Sequence, residues 1–236
     1  MEDMERYADY NDYEEESVLG KSPVGLVLKI LVAVVCLSVV GFLGFRVVLF
    51  NTYPDNIKNI YFDDKLTAYY EKTDGNIGAK TQIMSAPYDD AEEGNFFCDN
   101  LIVIPEINQL QVSARYNVSL MESIKEKYGM ELNPDNADNF SFKLYAIPLS
   151  QEGSAHIATG TLSFVDFDSK MMYRYYKLVF DDVNFTVQGE EEIWIRLEIS
   201  INGVEGENPY MVLIYEDTEE SVFVDYELSS KEKPNK

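Results

Sequence analysis

Histidine is almost absent from this sequence: the 236 residues hold one, His156 in "QEGSAHIATG". A Ser–His–Asp machine would have to use it, with Ser154 two residues away, but no G-x-S-x-G nucleophile elbow is present. A lone histidine in a Gly/Ser/Ala loop reads as structural or exposed. Cysteine is nearly as scarce. Cys36 lies in a long apolar run and Cys98 far downstream, so no intrachain disulfide is expected. One His and two distant Cys leave no zinc site of the usual ligand set. A phosphate-cradling loop is missing too: "GVEGENP" has neither the lysine nor the strand-to-helix setting. No cofactor is expected. Basic residues are few, 19 Lys and Arg against 42 Asp and Glu, a formal net charge of −23. A surface of that sign does not neutralise phosphates, so no nucleic-acid partner is expected. The same charge is repelled by anionic headgroups, and solubility alone accounts for it.

Apolar length is abundant. Ile30 to Phe45 is a run of sixteen residues without charge, eleven of them Val, Leu, Ile or Phe. On an insertion scale the run contributes roughly −3 to −7 kcal/mol. The whole apolar stretch spans 24–50, broken by Lys29 and Arg46. These two stand about 25 Å apart on a helix rising about 1.5 Å per residue. That separation places both just inside the edges of a hydrocarbon core about 30 Å thick, from where long basic side chains reach the headgroups. Lys29 and Arg46 are therefore read as the membrane-boundary residues of a transmembrane helix over 24–50, with the lipid bilayer as its partner. A soluble helix would have to bury every side of more than seven turns. A cleaved signal would begin with a short basic leader and end in a small-x-small site. Here eight acidic residues precede the run and "FRVVLFNTYP" follows it. A retained single-pass anchor is expected.

The anchor divides the chain. Residues 1–23 form an acidic tail with Tyr7, Tyr10 and Tyr13, whose low hydrophobicity predicts disorder. Residues 51–56 read as a short linker of turn formers, and 231–236 as a disordered C-terminus. Between them, 57–230 is expected to be one β domain. Basic residues nearly tie across the span, Lys21 and Lys29 against Arg46 and Lys58, so the positive-inside rule gives little direction. Architecture by analogy places the β domain on the extracytoplasmic side of the cell membrane.

Alternation of period two carries the β expectation. "IWIRLEISI" sets Ile193, Ile195, Leu197, Ile199 and Ile201 on one face. "NQLQVSARYN", "NFSFKLYAI" and "SVFVDYEL" repeat the pattern, with Leu110 to Tyr116, Phe140 to Ala146 and Val222 to Leu228 as their apolar faces. The polar face of such a strand meets solvent. Further strands are expected at 66–70, 80–84, 96–104, 158–167, 172–180 and 210–216. One segment, "SLMESIKEKYG", has helical spacing, a capping-box pair in Ser119 and Glu122, and Gly129 as a stop. The fold class is mainly β: an immunoglobulin-like antiparallel β-sandwich with one short helix, or alternatively a partly open β-barrel.

Candidate function residues are sparse. "MMYRYYKLVF" brings Tyr173, Tyr175 and Tyr176 together as a candidate aromatic binding surface, although cross-strand packing explains tyrosines on a sheet equally. Asp135 to Asn139 lacks the alternating ligands and later Glu of an EF-hand. Asn117, Asn139 and Asn184 head N-x-S/T triplets, which matter only in a eukaryotic secretory route. The reading that emerges is a non-enzymatic binding or accessory module for a protein or glycan partner; the alternative is a membrane-tethered hydrolase using paired carboxylates.

Overall fold

The computed structural model describes residues 23–83, 96–148, 157–185, 193–204, 210–216, 223–228 and 232. The chain divides into two units, 1–49 and 50–236. The first is dominated by helix α1 (Pro23–Asn51), long and apolar enough over Pro23–Val48 to cross a membrane. Its Val, Leu, Ile and Phe side chains from Val24 to Val48 are exposed. Lys29 and Arg46 are exposed as well, and the Arg46 guanidinium lies 5.4 Å from the Phe42 ring centroid.

The second unit is mainly antiparallel sheet with a few helices: α2 (Asp55–Lys58), α3 (Asp64–Lys72) and α4 (Leu120–Tyr128) among β1 (Lys80–Ile83), β2 (Phe96–Ile104), β3 (Gln109–Asn117), β4 (Phe140–Pro148), β5 (Ile157–Thr159), β6 (Thr161–Ser169), β7 (Tyr173–Asp181), β8 (Ile193–Ile201), β9 (Tyr210–Glu216) and β10 (Val224–Asp225). A six-stranded sheet runs β10-β1-β2-β3-β7-β6 and a four-stranded sheet β5-β4-β8-β9. Alternation does what it should: Leu110, Val112 and Ala114 of β3, Leu178 and Phe180 of β7, Phe140 to Leu144 of β4 and Ile195 to Ile201 of β8 turn their apolar sides into one shared core. Each such side chain, fully buried, contributes about 1.5–3 kcal/mol.

Several expectations are corrected. The segment 66–70 is not a strand but the body of α3. Phe62, Leu66, Tyr69 and Tyr70 follow a helical period, and the Asp63 carboxylate caps the helix by accepting from Leu66 N–H at 2.7 Å. With α2 as well, the β unit has more than the one helix expected, and α2 begins inside the stretch read as linker. The helix α4 forms as read and ends on Gly129 at φ +68°, yet Ser119 makes no capping bond. Asn117 Oδ1 takes the Ser119 N–H instead, at 3.0 Å. Val222 lies outside the described residues, and over 223–228 the expected strand is only the two residues of β10, with Val224 exposed, while Tyr226 and Leu228 join a second apolar cluster around Leu66, Ile102 and Ile104.

The expected strand 158–167 is two strands in two sheets. It breaks at Gly160, where φ is +68° and an added Cβ would stand 2.8 Å from Val183 Cγ2. Left-handed backbone and this close approach both demand glycine. Gly160→Ala is expected to cost about 1–3 kcal/mol, read as a lower urea midpoint with unchanged slope.

Candidate functional site

The polar side of β3 is not a solvent face. Gln109, Gln111 and Ser113 are fully buried, because residues 53–63 run across them. The row binds that roof rung by rung. Gln109 Nε2 donates to Asp63 at 2.6 Å and to Asp181 at 3.0 Å. Gln111 takes the Tyr61 N–H and gives a hydrogen to the Tyr61 carbonyl, both at 2.8 Å. Ser113 Oγ donates to the Ile57 carbonyl at 2.6 Å. Gln111→Leu keeps the volume but strands both backbone groups of Tyr61. It is expected to cost about 2–4 kcal/mol in chemical unfolding.

At the end of the row the roof closes with charge. A bulge in β2 leaves Asp99 as the extra residue between Cys98 and Asn100, and such a bulge re-aims a side chain. Asp99 contacts Arg115 as an ion pair at 2.9 Å and accepts from the Tyr53 hydroxyl. The Arg115 guanidinium lies 4.8 Å from the Tyr173 ring centroid and 5.8 Å from that of Tyr53. Tyr53 packs edge-on against Tyr175 at 4.7 Å. Burial first, then the Asp99 charge, drives the Tyr53 hydroxyl far above the ordinary tyrosine range, so it stays a donor.

Beside this cluster opens a cavity of about 540 Å³, lined among others by Tyr53, Lys58, Asn100, Ser113, Arg115 and Tyr226. Lys177 is the cross-strand neighbour of Ser113, one of the lining residues. Lys177 is completely buried and its Nζ has no hydrogen-bond partner among the described residues. Burial lowers its pKa to about 7, against a smaller upward pull from Glu232, whose carboxylate accepts from the Tyr226 hydroxyl. A lysine neutral near pH 7 is a base and a nucleophile that an exposed lysine is not. Sequence reading missed it: "RYYKLVF" shows a lysine on the polar side of a strand, and nothing local announces the roof above it.

The three tyrosines of the candidate aromatic surface do not make one surface. Tyr173 is half-buried beside Arg115. Tyr175 is covered on the roofed face, and Tyr176 points the opposite way, into the shared core. Period two forces this, since neighbours in a strand face opposite sides. Asp63 and Asp181 are brought together, both accepting from Gln109. Burial pushes the Asp181 carboxyl up, but hydrogen bonds from Gln109 and Ser163 and the Lys65 charge outweigh it and hold the group below its ordinary range. Asp181 is thus ionised, not poised as a general acid. Asn139 is buried with its amide donating to the Asn133 carbonyl at 2.7 Å, which removes it as a glycan acceptor. Among the described residues no cluster of three His, Cys, Asp or Glu could hold a metal ion. His156 and Tyr7, Tyr10 and Tyr13 lie outside the described residues. Comparison with family models, with curated proteins and with solved structures gives no match.

Proposed function

We propose that the chain is a single-pass membrane protein: α1 stays in the bilayer, and the downstream unit is an acidic β-sandwich, immunoglobulin-like in general shape, held at the extracytoplasmic side of the cell membrane as a non-enzymatic binding or accessory module for a protein or glycan partner. The observation that carries the reading is α1 itself, apolar on every side over Pro23–Val48 with its side chains exposed. In water those side chains would each cost about 1.5–3 kcal/mol that hydrocarbon recovers. The sandwich reading is supported by the apolar core common to both sheets. The module reading is supported by the chemistry at hand: Asp63 and Asp181 are engaged in holding the roof, and Asp99 is paired with Arg115 and Tyr53.

Solubilised membranes carrying the tagged chain are expected to yield a stoichiometric companion protein or a retained glycan; recovery of the chain alone, with hydrolytic activity on a sugar panel, would favour the tethered hydrolase. Topology needs a new thiol, because Cys98 is buried and burial raises its pKa. A Glu126→Cys variant, on the exposed side of α4, should react with an impermeant maleimide in intact cells. Reaction only after lysis would reverse the orientation.

A further inference from the structure

We propose that α2 is a proton-operated hatch over Lys177: with the amine protonated, Asp55–Lys58 lifts from the sheet, and with the amine neutral it settles back. Lys177 on β7 stands directly opposite Ser113 of β3 on one side and Asp166 of β6 on the other. Residues directly opposite in a sheet share a face. Both neighbours hold α2. Ser113 Oγ donates to the Ile57 carbonyl at 2.6 Å, and Asn56 Nδ2 donates to Asp166 at 2.8 Å. The turn thus bridges β3 and β6 across Lys177, and it packs on β6 and β7. Ile57 and Lys177 are completely buried beneath it, and Lys177 Nζ has no hydrogen-bond partner among the described residues.

An ammonium held there has lost its water and found no acceptor, so the charged form favours any state that lets water back. The surrounding charges do not reverse this. Asp166 is held by Asn56, Arg115 one pair along β3 is answered by Asp99, and Asp181 further along β7 is answered by Lys65. Asp55 and Lys58 on α2 itself are exposed and of opposite sign, while Tyr53, Tyr61 and Tyr175 add hydroxyls only. Glu232, from the C-terminal side, draws the amine upward by less than burial lowers it. Lifting α2 is the smallest opening that hydrates the amine. The helix is one turn of four residues, its Asp55, Asn56 and Lys58 are exposed, and a further tie to the sheet, from Asn100 Nδ2 to the Lys58 carbonyl, spans 3.3 Å. A single turn has no helical stability of its own, so its amides exchange once it leaves the sheet.

The proposal is independent of where α1 resides. Hydrogen exchange on the purified full chain, corrected for intrinsic rates, tests it through the Ile57, Lys58 and Asn59 amides, which donate to the Pro54 and Asp55 carbonyls. The covered amine titrates near 7 and the hydrated one near 10.5. Between these values the open form keeps a proton that the covered form has lost, so opening declines as pH rises; below 7 both are protonated and opening levels off. Exchange should therefore be about tenfold faster at pH 6 than at pH 8 and nearly flat below pH 6. At pH 6 the β8 amides should stay protected about tenfold or more above those of α2. Lys177→Met, which places no charge under the turn, should abolish the pH step. Equal exchange at pH 6 and 8, equal protection in α2 and β8, or an undiminished step in Lys177→Met would each overturn it, and the first two need only the natural chain.

Discussion

Lys177→Met is expected to make the protein more stable, by roughly 2–4 kcal/mol at pH 7. The amine sits on β7 under the roof formed by 53–63, fully buried and without a partner among the described residues. It gives up its proton near pH 7 in the folded protein and near 10.5 when unfolded. Below pH 7 both states hold the proton and the full burial penalty is present. Between about 7 and 10.5 the unfolded chain binds a proton that the folded chain does not, so stability from this group rises with pH across that window. A shift of that size corresponds to roughly 4–5 kcal/mol as an upper bound. The buried tyrosines, held neutral by burial, reverse the trend once the pH passes the ordinary tyrosine range. Urea unfolding of both proteins at pH 6, 7, 8 and 9 reads the difference directly. The gap should be widest at pH 6 and narrow as the pH rises. A variant less stable than the parent at pH 6 would show the ammonium to be compensated in the fold.

Tyr176→Ala is expected to remove about 3–5 kcal/mol, a large share of the roughly 5–15 kcal/mol of a domain of ordinary stability. Tyr176 is fully buried in the shared core. Its ring meets Phe142 at 5.0 Å, Phe167 at 5.0 Å, Tyr116 at 6.1 Å and Phe96 at 6.4 Å, so it joins strands of both sheets. Its hydroxyl donates to the Ala137 carbonyl at 3.0 Å, and truncation leaves that acceptor unmet. The neighbouring Tyr173→Ala, half-buried at the Arg115 cluster, should change stability by no more than about 1 kcal/mol. Thermal unfolding of the pair separates a core tyrosine from a surface one; equal losses would contradict the assignment of opposite faces.

Local pattern made much of the sheet legible. Period two in 193–201, 109–117 and 140–147 placed β8, β3 and β4 with the right apolar sides, and the helical spacing of Leu120, Met121 and Ile124 placed α4. What stayed hidden depends on contacts distant in sequence. A polar face reads as wet unless something covers it, and Gln109, Gln111, Ser113 and Lys177 are covered by a segment some fifty to a hundred and twenty residues earlier in the chain. The helix α3 could have been found from Asp63 as a cap and from the spacing of Phe62, Leu66 and Tyr69; a β setting on either side outweighed that signal. Gly160 was readable as a break within an otherwise alternating run, which is where the chain passes from one sheet to the other. The cavity had no local signature, because Tyr53, Asp99, Ser113, Arg115 and Tyr226 converge only in three dimensions.

The membrane assignment turns on α1 remaining part of the mature protein and residing in lipid. Membranes from cells expressing the chain should be washed with alkaline carbonate and the protein left in the pellet weighed by intact-mass spectrometry. The account predicts the full 27.0 kDa chain in the washed pellet. Release into the wash, or a mature product lacking the α1 residues, would contradict it.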